Sequence, residues 1–169
     1  MPAIQLKPYH QLHCDTQDII QAKVIRFLEE NTSVMRTRLD KSFSWIPFEH
    51  RDLSENVPEL LDWFKAHGLI LRDIAATVAR NTEGAAPHRD QPPVVAKINF
   101  PILNTEDTYN LWFDDHNNEI ARISMLHPLV FNASMIHAVE IGAKAKLPRV
   151  VLSCMFYREP IKWLSIEKS

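Results

Sequence analysis

Four side chains in this sequence have the types and the spacing to do chemistry together. His88 and Asp90 stand one residue apart in PHRD at 87–90, His137 follows 47 residues after Asp90, and Arg149 twelve further on. A His and an Asp at i and i+2 near a strand end can point the same way and ligate one ion. Alternation along MIHAVEI puts Met135, His137, Val139 and Ile141 on one face, and along the next run Arg149, Val151, Ser153 and Met155. Two imidazoles and a hard carboxylate on one side of an octahedral ion hold Fe(II) without the thiolate shell of structural zinc and leave three positions open. An arginine at the head of an otherwise apolar strand needs an anion, or a carboxylate such as Glu140 or Asp73, to satisfy its planar fork.

These residues need a scaffold, and the periodicity supplies one. Residues 16–31 place Ile20, Val24, Phe27 and Leu28 on one face, which predicts an amphipathic helix with Asp15 or Thr16 as its cap. Residues 54–67 predict a second, opening on a serine, closing before Gly68, and burying Leu60, Leu61, Trp63 and Phe64. FSWIPF at 43–48 reads as a short strand between them. Beyond Gly68 the pattern turns to β, with strands expected at 69–79, 94–103, 109–113, 119–125, 128–132, 135–141 and 148–157. The segment 81–93 reads as a loop from its Gly and Pro content. Helices followed by a run of short strands predict an α+β, mainly β, domain with two N-terminal helices packed on one sheet. The whole chain, 1–169, reads as one domain: a helical part at 1–68, a β core at 69–157 and a tail at 158–169.

The strand at 94–103 offers a further set. Ala96, Ile98 and Phe100 share the face that should pack on the helices, while Val95, Lys97 and Asn99 share the other, which either lines a cavity or stands as an outward-facing solvated edge. Asn110 and Trp112 on the following strand are weaker candidates for substrate contact. His10, His13 and Cys14 make a short metal-like corner without partners, His116 with Asp114 and Asp115 reads as a solvated turn, and His127 precedes a proline. Cys154 alternates away from Arg149 and reads as a small buried apolar side chain.

Composition removes other chemistries. Three glycines, at 68, 84 and 142, cannot write a dinucleotide fingerprint, a Walker A loop or a G-x-S-x-G elbow. Two distant cysteines exclude a CxxC motif. With 46% hydrophobic and 24% charged residues and a net charge of −2, the balance is globular and carries no excess that calls for nucleic acid or anionic lipid. No apolar run approaches a membrane span and the first residues are too polar for a signal peptide, so a cytoplasmic protein is expected.

On PHRD at 87–90, FNASMIHAV at 131–139 and PRVVLS at 148–153, the chain resembles the Fe(II)/2-oxoglutarate-dependent dioxygenases, in particular their smaller members, including the aspartyl/asparaginyl and prolyl hydroxylase-like groups. The resemblance covers residues 74–157, about half the chain. It implies a double-stranded β-helix (a jelly-roll, cupin-like fold) with His88, Asp90 and His137 as catalytic metal ligands. It also implies Arg149 as the clamp for the distal carboxylate of 2-oxoglutarate; beside it Lys97 and Asn99, from their place on the polar face of their strand, and Ser153 are candidate cosubstrate contacts. The cofactors implied are Fe(II), 2-oxoglutarate and O₂, and the reaction is hydroxylation of an unactivated C–H of a small molecule, amino acid or peptide side chain, with release of succinate and CO₂. The family often has Ser or Thr two residues after the arginine; Val151 stands there, with Ser153 two further along the same face. The rival readings are a non-catalytic cupin-like binding module and a cupin enzyme that uses no 2-oxoglutarate; of the three, only the first requires the arginine clamp.

Overall fold

The computed structural model describes residues 5–32 and 43–166. A short strand β1 (Tyr9–Gln11) precedes helix α1 (Gln17–Asn31), and β2 (Phe43–Phe48) leads into α2 (His50–Asn56) and α3 (Pro58–Ala66). Eight strands follow: β3 (Leu71–Ala79), β4 (Ala85–His88), β5 (Ala96–Leu103), β6 (Thr108–Phe113), β7 (Glu119–Ser124), β8 (Leu129–Asn132), β9 (Ile136–Ile141) and β10 (Arg149–Phe156). They form a six-stranded sheet in the order β1-β8-β5-β10-β3-β2 and a four-stranded sheet in the order β4-β9-β6-β7, with every pairing antiparallel. Along the chain from β3 to β10 the strands alternate between the sheets, except that β6 and β7 are neighbours in the smaller one.

Three of the expectations need correction. The run expected as one helix at 54–67 is two, because Pro58 has no N–H to give and starts a new helix at its first position, after the break at Val57. The loop expected at 81–93 contains the edge strand β4. A proline is tolerated at such an edge, and the register shift between Ala85 and His88 marks the bulge that goes with it. The part expected to be helical, 1–68, also carries β1, which pairs with β8.

The six-stranded sheet has two unlike faces. One packs on the helices: Ile20, Val24, Leu28, Leu60 and Phe64 meet Ile74, Ile98, Phe100, Leu152 and Cys154 in the main core, all nearly or fully buried. Trp63 lies edge-on to Phe100. The opposite face carries Lys97, Asn99, Arg149, Val151 and Ser153 towards the four-stranded sheet. Among the described residues, no helix is long and apolar enough to cross a membrane.

Candidate metal centre and cavity

The four-stranded sheet brings the two histidines together. β4 and β9 pair so that His88 faces His137 directly, with ring centroids 4.4 Å apart. The approach of the two strands depends on Gly84, whose φ is +66° and whose missing Cβ would stand 2.1 Å from the carbonyl oxygen of Val139. No L-side chain fits there. Asp90, just past β4, is tied by its backbone N–H to the carbonyl of Ala133 at 3.1 Å.

The hydrogen bonds fix which nitrogen each imidazole offers. His88 Nδ1 lies 2.7 Å from the carbonyl of Ala86 and His137 Nδ1 lies 2.8 Å from that of Met135. A carbonyl can only accept, so each Nδ1 carries a proton and each Nε2 faces the centre. His137 Nε2 stands 3.2 Å from Asp90 Oδ1, and His88 Nε2 stands 3.6 Å from the same oxygen. Lone pairs facing each other at that range require a cation between them, either a proton or a metal ion. Ligands about 2.1 Å from one ion and at right angles lie about 3 Å apart, close to this spacing. The three ligand atoms lie within 4.8 Å of one another, and among the described residues no other group of His, Cys, Asp or Glu side chains meets that condition. The donor set therefore fits a divalent ion of the Fe(II) type and leaves one side open.

Burial pushes the Asp90 carboxyl up, but its hydrogen bond with His137 and the charge of Lys97 outweigh that, and the net effect holds it well below the ordinary carboxylate range. Asp90 is thus an anion ready to ligate. Lys97 Nζ donates to its second oxygen, Oδ2, at 2.6 Å, the outer partner that commonly orients a ligating carboxylate. Phe131, edge-on to His137, and the opposed His88 ring hold the buried imidazole in place.

A cavity of roughly 270 Å³ opens between the sheets, and all seven sequence-predicted site residues line it: His88, Asp90, Lys97, Asn99, His137, Arg149 and Ser153. Arg149 is almost fully buried, and its Nε donates to Thr108 Oγ1 at 3.1 Å. Neither acidic candidate reaches it: Glu140 pairs with Arg122 and Asp73 with Arg72. Burial alone pushes the guanidinium down to about 10. Asn99 Oδ1 and Ser153 Oγ are also buried without a hydrogen-bond partner among the described residues. A buried cation without a carboxylate, beside two unsatisfied polar atoms, is a cradle for a polar or anionic ligand.

The weaker candidates divide. Asn110 lines the cavity. Trp112 does not: it is fully buried, stacks between Tyr9 and Phe131, and donates its indole N–H to the carbonyl of Asn132. His10, His13 and Cys14 turn to separate local partners, Lys7, Asp15 and Thr16. His116 lies in a turn closed on Asp114, and Cys154 is fully buried on the helix side. Among the cavity residues that escaped the sequence reading are two aromatics, Phe43 and Trp45. The alternation of FSWIPF already put them on one face, but nothing in the sequence told which sheet edge that strand joins.

No protein-family model matches the chain, and no curated protein matches it in sequence. Solved structures match in fold. The non-heme α-ketoglutarate-dependent epimerase SnoN from nogalamycin biosynthesis superposes with a TM-score of 0.57 at 12% identity, over 88% of this chain and 76% of that one. A Trichoplax adhaerens prolyl hydroxylase, in complex with a hypoxia-inducible-factor oxygen-degradation-domain peptide, gives 0.53 at 16% identity, over 95% and 88%. EvdMO1 gives 0.56 at 11% identity, over 88% of this chain and 47% of that one, so this chain spans about half its length. At such identities the likeness is one of fold.

Proposed function

We propose that the protein is an Fe(II)- and 2-oxoglutarate-dependent oxygenase built on a double-stranded β-helix. The observation that carries this reading is the pairing of an open His-Asp-His centre with a buried arginine lacking a carboxylate partner in the same cavity. An α-ketoglutarate-dependent epimerase and a prolyl hydroxylase among the fold neighbours support it. Eight strands alternating between two sheets, with the site between them, support the fold name.

Each residue then has a role. His88, Asp90 and His137 hold the metal through Nε2, a carboxylate oxygen and Nε2. Lys97 keeps its bond to Asp90 and orients that carboxylate, so its part in binding the cosubstrate is indirect. Arg149, steadied by Thr108, receives the distal carboxylate of 2-oxoglutarate; Asn99 and Ser153 supply a neutral acceptor and a hydroxyl along the same face. The bound metal supplies activation of O₂, coupling conversion of 2-oxoglutarate to succinate and CO₂ with hydroxylation of a C–H bond. His137 and Arg149 are buried, which strengthens the charge pairing around them.

The direct test is succinate formation. Protein supplied with Fe(II) and 2-oxoglutarate in air should release succinate slowly alone and faster with a matching compound from a panel of small acids, amino acids and peptides. No succinate above the level given by Asp90→Ala, with or without the panel, overturns the reading in favour of a binding module.

A further inference from the structure

We propose that Trp45 and Phe43 form the substrate platform of the cavity, and that the ligand they receive is an uncharged ring. The word substrate rests on the oxygenase reading; the binding site itself does not.

β2 is one of the two edge strands of the six-stranded sheet, and its side chains alternate. Phe48 is buried in the main core and Ile46 packs against it, while Phe43 and Trp45 point the other way and remain 47% and 52% exposed. Single exposed aromatics are ordinary. These two stand on one face at i and i+2, and they line the same cavity as His88, Asp90 and His137. The register runs Trp45 to Thr77 to Val151 in one row and Phe43 to Ala79 to Arg149 in the next. The side chains of β3 between them, Thr77 and Ala79, are small. They make a floor about 10 Å across, two strand spacings, from the aromatic pair to the arginine.

The charges decide what this floor can take. Every titratable side chain lining the cavity already has a partner or a task. Asp90 and Lys97 neutralise each other, the two imidazoles face the metal position, and Arg149 awaits one carboxylate. The Thr77 hydroxyl is spent on the carbonyl of Val151 and the Asn110 amide lies against the Met125 sulfur. Among the described residues, no acid of the lining remains for an ammonium group and no second cation for another carboxylate, so a zwitterionic amino acid or a charged ring loses its hydration there without compensation. Flat aromatic faces do reward a neutral ring laid against them. The cavity, roughly 270 Å³, lies below the usual range for drug-sized ligands, so the reacting end enters while the rest of the ring system lies on the open aromatic rim.

The test uses metal-free, ¹⁵N-labelled full-length protein carrying Arg149→Met, which removes the buried cation, so no iron, cosubstrate or turnover is required. The indole N–H signal of Trp45, assigned by its loss in Trp45→Phe, is followed during titration with methyl glucopyranoside, N-acetylprolinamide and indole-3-ethanol. Glucuronate, proline and tryptamine serve as the ionised counterparts. At least one neutral ring should shift the signal saturably and bind more tightly than its counterpart. By ligand-observed titration its Kd should rise roughly three- to tenfold in Trp45→Ala and less in Trp45→Phe. Equal or tighter binding of the ionised partner, unchanged affinity in Trp45→Ala, or no shift with any ring overturns the inference. If a neutral ring binds on Trp45 but no succinate is ever formed, only the oxygenase reading falls.

Discussion

Arg149 is the residue whose environment makes the least sense without a ligand. Its folded pKa, about 10, lies below the ordinary value of an arginine, so the folded protein binds this proton less tightly than the unfolded chain does. The sign follows: burial costs stability at neutral pH, and the cost fades only as pH rises through about 10 towards the ordinary arginine range. A carboxylate bound at the fork relieves the same cost at pH 7. Arg149→Met should therefore leave the ligand-free protein as stable as the parent or about 1–4 kcal/mol more stable, as when buried ionic groups give way to apolar ones of similar volume. Thr108 keeps a partner in that variant, since its hydroxyl also donates to the carbonyl of Thr105. The same variant should weaken 2-oxoglutarate at least tenfold to a hundredfold while holding metal with little change. Thermal melts and separate titrations of metal and cosubstrate check both halves. By contrast, Asp90→Ala and His137→Ala should each lose metal binding and succinate formation while far-ultraviolet circular dichroism stays native, because these side chains serve the centre more than the packing.

Among the elements, the pairing of β4 with β9 carries the candidate metal centre. Gly84 sets that pairing, and its conformation leaves no room for a Cβ. Gly84→Ala should push β4 away from β9, separate His88 from His137, and lower metal affinity tenfold or more, with a smaller effect on 2-oxoglutarate held by β10. Isothermal titration with each ligand distinguishes the two. The same pairing shows how far the sequence could be read. The strands that bear His137, Arg149, Lys97 and Asn99 were legible because strict alternation with a buried apolar face is a strong signal. β4 was hidden because Gly84 and Pro87, the residues that let it be a bulged edge strand, are also the punctuation of a loop. The break between α2 and α3 lay in plain sight at Pro58, but the apolar spacing ran through it. The parity of Trp45 was readable, and its place in the cavity was not, since it depends on β2 joining β3 at the sheet edge.

For the molecule as a whole, the division of faces is what links stability to function. The six-stranded sheet stakes its stability on the helix side, where Phe64, Phe100, Phe156 and the aliphatic residues around them are buried. Among the described residues, the other face is left with a cavity, a guanidinium without a carboxylate and polar atoms lacking hydrogen-bond partners. Ligands that bind only the folded state should then raise the melting temperature. A ligand at a hundred times its Kd contributes about 2.7 kcal/mol, or roughly 5–10 °C for a chain of this size. Metal and 2-oxoglutarate together should shift the melt by more than either alone, and a chelator should reverse the metal's share. The central claim, that the His-Asp-His centre and Arg149 jointly hold a 2-oxo acid, is tested most directly by visible absorption under anaerobic conditions. 2-Oxoglutarate titrated into the Fe(II)-loaded parent should raise a charge-transfer band that saturates at one equivalent. The band should be absent in Asp90→Ala and should require at least tenfold more 2-oxoglutarate in Arg149→Met. No band in the parent, or the same titration curve for the parent and Arg149→Met, contradicts it.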